Sequence, residues 1–272
     1  MHIVPIMKHP HKVETFPLSR VATFDMGVIG RKKHRIVGLL EVDVTHARQR
    51  LREMRRAGSA ISFTSWFVKT VAATVEEIPQ VHGVLRGRRR FVFDDIDVAL
   101  MVERFVNGTP VPLPTVLEAC NSRSLESIES GIMRAANQPV GGAQDFQLGR
   151  RRSKIVTALF YRLPQFLRLA VFGAMLKNPK IRKQSMGTVI VTSVAAGIRF
   201  PGWIIPRTMH NLAFGLGSVI RKPRVVGEEV LPRDVLHLTV ILDHDVVDGA
   251  PAARFTSRLV KNLETAAVLC QE

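Results

Sequence analysis

The stretch Leu236-His237-Leu238-Thr239-Val240-Ile241-Leu242-Asp243-His244-Asp245-Val246-Val247-Asp248-Gly249-Ala250 constrains the fold more than any other part of the chain. Leu236, Leu238, Val240 and Leu242 recur at period two, the spacing of a strand that buries one face, and Asp248-Gly249 breaks the run. Its end presents His244, Asp245 and Asp248 beside a glycine turn, a rigid support on which a site can be built. A lone His-x-x-x-Asp is more often an ordinary strand end with solvated polar groups, so the surrounding segments decide the reading.

Those segments alternate between the two periods. Pro17 to Arg20 opens an early helix or turn, and His34 to Thr45 reads as a strand rich in β-branched residues. Thr45 to Arg56 has helical spacing, with Gly58 as its stop and its arginines on a solvated face. Ser62 opens a second helix in which Phe67, Val71, Val75 and Ile78 keep one face until Pro79 ends it. Phe91 to Phe93 and Ile96 to Val102 read as short strands, and Arg86 to Arg90 as a basic turn. The prolines of Thr109 to Val116 make an extended segment, Ser124 begins a third amphipathic helix, and Gly141-Gly142 marks a loop. Gly187 to Val194 is another strand, which places Thr192 and Ser193 on opposite faces. A last helix from about Pro251 buries Ala252, Phe255, Leu259 and Leu263. The order is that of an α/β protein, and 272 residues without repeats or low-complexity linkers suit one domain over 1–272.

Composition narrows the partners. Cys120 and Cys270 are too few and too isolated for a disulfide framework, which points to a reducing cytoplasm. The first residues lack the apolar core and cleavage site of a signal peptide, and no apolar run reaches the 18 or so residues that span a bilayer. A formal charge of +16 suits nucleic acid, an anionic membrane surface or a phosphate-bearing cofactor. A single tyrosine and the lack of interleaved aromatic and basic residues argue against nucleic acid. Residues 150–183 hold ten basic side chains and no acidic one, around the apolar run Leu159 to Leu176. Arg162, Pro164 and Arg168 exclude a simple transmembrane helix there. The segment is expected to be a helical insertion near the mouth of a site, where it covers an acyl groove, lies on a membrane surface (a peripheral location) or makes a subunit contact.

Several stretches in order carry a resemblance. They are Ser62-Phe-Thr-Ser-Trp-Phe-Val-Lys, the extended proline-rich segment ahead of the Ser124-Leu125 helix, Gly187 to Val194, Gly215-Leu-Gly-Ser, Gly227-Glu-Glu-Val-Leu-Pro-Arg, and Asp243-His-Asp-Val-Val-Asp-Gly-Ala. Together they resemble, over roughly residues 15–270, the catalytic domain of the 2-oxo acid dehydrogenase acyltransferases, which shares its fold and His-x-x-x-Asp-Gly motif with chloramphenicol acetyltransferase. The resemblance implies a mixed sheet flanked by helices, in a homotrimer or an oligomer of trimers whose active sites lie between subunits. Acyl transfer from a thioester needs a base for the incoming nucleophile and a donor for the oxyanion. The resemblance assigns His244 as the base, acting directly on the acceptor, an imidazole with an ordinary pKa near about 6.5 being suited to the task. It assigns Thr192 as the oxyanion donor, with Ser193 in reserve, and Asp248, beside Gly249, as the carboxylate that pairs with Arg20 to hold the histidine loop. No metal is called for. The donor it implies is acyl-coenzyme A and the acceptor a dihydrolipoamide-like thiol or another small molecule. The family's lipoyl domain, its Asp-Lys-Ala lipoylation signal and its small partner-binding domain find no counterpart in this sequence. Two departures, Asp245 where the family has arginine and Thr192 where it has serine, motivate an alternative: a catalytically impaired scaffold or assembly subunit.

Overall fold

The computed structural model describes residues 18–106, 109–138, 159–194, 198 and 200–270. Gly141-Gly142 and the basic cluster Arg150, Arg151, Arg152 and Lys154 lie outside the described residues.

The expected mixed sheet is present. Eight strands are β1 (Arg35–Asp43), β2 (Val84–Arg86), β3 (Arg89–Phe91), β4 (Val98–Val106), β5 (Thr109–Leu117), β6 (Val189–Ser193), β7 (Leu212–Val226) and β8 (Glu229–Asp243). Six of them form one sheet in the order β1-β8-β7-β6-β4-β5, and β2 and β3 pair separately. β6 runs parallel to β4 and to β7, and the other neighbours are antiparallel. The Arg86 to Arg90 run, expected as a turn, is the hairpin of β2 and β3, with Gly87 at φ 59° in its bend. A left-handed backbone there favours glycine.

The helices are α1 (Leu18–Gly30), α2 (Thr45–Arg56), α3 (Phe63–Glu77), α4 (Leu125–Asn137), α5 (Gln165–Leu176), α6 (Pro179–Met186) and α7 (Gly249–Glu264). Ser62 caps α3 by accepting from the Ser65 amide at 3.2 Å, and Ser124 caps α4 through the Ser127 amide at 3.3 Å. Each satisfies a backbone donor that the first turn leaves free. The periodic faces then pack on one side of the sheet: Trp66, Phe67, Val71 and Val75 of α3 and Ala252, Phe255, Leu259 and Leu263 of α7 join Leu236, Leu238, Val240 and Leu242 of β8 in one core. Phe214 of β7 links the two helices, with ring centroids 5.8 Å from Phe67 and 6.4 Å from Phe255.

The opposite face of the sheet is closed by an extended strap, residues 200–208. Its course is dictated by two glycines of β7. A Cβ built on Gly215 would stand 2.5 Å from the Ile204 carbonyl oxygen, and one on Gly217 would stand 2.2 Å from that of Gly202. The strap is tied down by Ser218, whose amide donates to the Gly202 carbonyl at 3.2 Å, and by the Trp203 indole, which donates to the Leu40 carbonyl at 2.8 Å. No helix among the described residues is long and apolar enough to cross a membrane.

Candidate active site

The end of β8 splits its residues between two environments. Val246 and Val247 turn into the core, and their amides return to the Asp243 carbonyl at 3.0 and 3.1 Å. His244, Asp245, Asp248 and Gly249 are left exposed. The turn is fastened to the start of β1, where the His244 amide donates to the His34 carbonyl at 2.7 Å. On its other side Arg90 donates to the Val246 carbonyl at 3.0 Å.

Period two puts Asp243 on the face away from the helical core, where it is 4% exposed. Lys33 pairs with its carboxylate and donates to Asn211 Oδ1 at 2.6 Å. Arg182 donates to the same Asn211 oxygen at 2.7 Å and to the Met209 carbonyl at 2.9 Å, and the Asn211 amide reaches the Gly83 carbonyl at 2.6 Å. The Asp243 amide in turn donates to the Asn211 carbonyl at 2.8 Å. Burial holds the Lys33 ammonium below its ordinary value, with Asp243 acting in the opposite direction. Burial likewise lowers Arg182. His210, enclosed beside this network, donates from Nε2 to the Met186 carbonyl at 2.7 Å and accepts at Nδ1 from Thr208 Oγ1 at 2.6 Å, and burial pushes its pKa down to about 3. The backbone under His244 thus rests on a buried cluster of side chains from the turn before β1, from α6 and from the approach to β7.

Asp245, the residue where the resembled motif has arginine, meets His34, whose Nδ1 lies 2.9 Å from its carboxylate. That contact raises the His34 pKa. The partner of Asp245 is therefore a second imidazole, and no described residue hydrogen-bonds the His244 ring.

Thr192 and Ser193 divide between the faces as expected. Thr192 shares its side of β6 with Ile190, on the face under the strap, and Ser193 shares its side with Val191, on the helical face. Thr192 is partly buried and Ser193 exposed. Thr192 stands in one row with Gly215 and Thr239. His244 follows Thr239 by five residues, so it lies about 16 Å further along and two strands, about 10 Å, across. Within one chain the two side chains do not meet. Asp248 takes the position before α7 with an extended backbone and makes no capping hydrogen bond. Arg20 lies in α1, but its side chain is outside the described residues, so the expected Arg20 to Asp248 pair is too. Among the described residues no three His, Cys, Asp or Glu side chains stand together as a metal site.

Sequence reasoning missed Lys33, Asn211, Arg182 and the role of His34. The only signal for them was that Asp243 falls on the non-core side of β8 directly before the histidine.

The family described as 2-oxoacid dehydrogenases acyltransferase (catalytic domain) matches residues 171–270, a span that begins inside the basic segment and contains Thr192, His244 and Asp248. A probable dihydrolipoyllysine-residue succinyltransferase component of the mitochondrial 2-oxoglutarate dehydrogenase complex, from Schizosaccharomyces pombe, is 25% identical over 215 residues, which are 76% of this chain and 38% of that protein. The chain spans about two fifths of the length of the first curated relatives it matches. Among solved structures, the cubic core of the pyruvate dehydrogenase multienzyme complex superposes with a TM-score of 0.69 at 17% identity, covering 99% of this chain and 98% of that one. Azotobacter vinelandii dihydrolipoamide acetyltransferase superposes with a TM-score of 0.68 at 17% identity, again over 99% and 98%. In that enzyme a serine, a histidine and an asparagine have been investigated for their part in catalysis, and their separations along the chain equal those of Thr192, His244 and Asp248 here.

Proposed function

We propose that this chain, similar over residues 171–270 to the catalytic domain of the 2-oxo acid dehydrogenase acyltransferases, transfers acyl groups from coenzyme A thioesters to a small thiol, a dihydrolipoamide-like acceptor in the first instance. The observation that carries the reading is the location of Thr192, His244 and Asp248 inside the matched span, at the separations of the three residues investigated in the Azotobacter enzyme.

In the proposed reaction His244 takes the thiol proton and the thiolate attacks the thioester carbonyl. The tetrahedral oxyanion accepts the Thr192 hydroxyl hydrogen bond, and collapse expels the coenzyme A thiolate, which takes the proton back from His244. No acyl-enzyme forms. Because one chain holds the two groups on different parts of the sheet, the site is assigned between copies, His244 from one and Thr192 from its neighbour, as in the trimer that the family resemblance implies. The exposed side chains Val37, Leu39, Phe200 and Ile205, on the strap and the β1 edge, supply an apolar surface for that contact. Asp243 and Lys33 hold the turn, and Asp248 is assigned the pairing with Arg20 that the family resemblance implies.

A second reading, a scaffold that has kept the fold and lost the reaction, draws on the exposed and unheld His244 ring and on Asp245. Coenzyme A release from a panel of acyl-coenzyme A donors, with dihydrolipoamide and amine acceptors, separates the two. The acyltransferase reading expects turnover that His244→Ala abolishes without lowering the melting temperature. No turnover with any donor would leave the scaffold reading standing, and turnover unchanged in His244→Ala would overturn the role given to His244.

A further inference from the structure

We infer that α5 is a docking surface for an anionic lipid bilayer. This surface is separate from the turn that carries His244, and the inference does not depend on the chemistry assigned to that residue.

The helix is apolar on the wrong side for a soluble surface. Phe166 is 69% exposed, Leu167 41% and Val171 42%, and Ala170 and Ala174 are exposed between them. These positions fall at helical spacing along one outward stripe. The inward side is also occupied: Phe172 packs against Phe160 at 5.3 Å between ring centroids, and Arg168 is buried. A helix that keeps apolar residues both under and over it is built to be covered from outside. Leu159 and Ile181, 64% and 41% exposed, add to the apolar surface of this segment.

The stripe is presented on a rigid base. Arg168 binds the carboxylate of Asp25 on α1 through two nitrogens, Nε at 2.7 Å and Nη2 at 3.1 Å, and Gln165 reaches the same carboxylate at 3.2 Å. Asp25 is fully buried. This clamp takes the one charge of α5 inward and leaves the outer side without polar groups.

Charge selects the occupant. Of the described basic residues around α5, Arg168, Arg182 and Lys183 are engaged with protein groups, and Arg162, Lys177 and Lys180 are exposed. Lys177 continues the outward stripe at its carboxy-terminal end, and Arg162 and Lys180 are exposed on either side of α5. An anionic bilayer offers apolar chains beneath a negative surface in the order that the helix and its exposed cations require, whereas a second copy would have to bring acidic groups to the same stripe. Twelve residues are too few to span a membrane but suffice to lie in its interface.

The test is flotation of the full chain with vesicles of phosphatidylglycerol or of phosphatidylcholine. Binding to the first and not the second is expected, with the Phe166→Ser/Val171→Ser variant partitioning at least about tenfold less and each of Lys177→Ala and Lys180→Ala about fivefold less. Melting curves of the variants check that the exposed substitutions leave the fold intact. No flotation with phosphatidylglycerol would overturn the inference. So would a double variant that floats like the parent, since charge alone would then explain binding. A double variant whose native mass falls would assign the stripe to a second copy instead.

Discussion

Asp243 and His244 are neighbours with opposite surroundings, and the difference sets what each substitution does. The Asp243 carboxylate is enclosed with the Lys33 ammonium, and removing one partner of a buried pair strands the other charge. Lys33→Met is expected to lower unfolding stability by about 3 to 5 kcal/mol, read from urea denaturation. An effect below about 1 kcal/mol, the range of a surface pair, would show that solvent screens the contact. The enclosed histidines act through protons. His210 titrates at about 3 and His82 at about 4 in the folded chain, both through burial, against an ordinary value of 6.5. A histidine with a depressed pKa binds its proton more readily when unfolded, so it destabilises the fold as pH falls below 6.5, down to its folded value. Each of the two costs about 1.4 kcal/mol per pH unit in that window. Melting temperature should therefore drop between pH 6.5 and 4, and His82→Gln should flatten the drop; an unchanged slope in that variant would remove His82 from the account.

At the scale of elements, what was legible followed from whether the two faces of a strand differ in chemistry. β8 shows period two because its core face is apolar while His237, Thr239 and Asp243 occupy the other, and α2, α3 and α4 show their ends through Gly58, Ser62, Pro79 and Ser124. β7 was not legible as a strand. Its first seven residues are buried throughout, as are the last nine of β8, but they offer only Ala213, Gly215 and Gly217 on the face under the strap, so no polar side chain marks an alternation before Ser218. The turn at His244 was legible from its glycine and its polar cluster, but its support was not, because Lys33 and Asp243 are 210 residues apart and nothing local records that they meet. The strap has its own signature in Gly215 and Gly217, which becomes readable only once their neighbours are known. Gly217→Ala would push a methyl group to 2.2 Å from the Gly202 carbonyl oxygen, which is backbone and cannot swing aside. The variant is expected to release the strap, seen as faster hydrogen exchange at the Ser218 amide, while α3 and α7 exchange as before. Parent-like exchange at Ser218 would mean that the strap relaxes without detaching.

For the whole molecule, the register of the sheet is decisive. It sets Thr192 and His244 on separate parts of one chain, so the family resemblance and the geometry agree only if a neighbour completes the site. Two inactive variants test this directly. Thr192→Ala and His244→Ala, unfolded and refolded together in equal amounts, should recover up to about a quarter of parental turnover, because some contacts then pair an intact histidine with an intact threonine. Recovery no greater than the sum of the two variants alone would confine each site to one chain. The same separation has a kinetic consequence. A base and an oxyanion donor carried by different copies exist as a pair only in the assembled fraction, so mass action enters the rate law: turnover per chain falls on dilution below the assembly constant and saturates above it. For such a protein the number of working sites is set by its own concentration, and a cell that makes less of it loses activity more steeply than it loses protein.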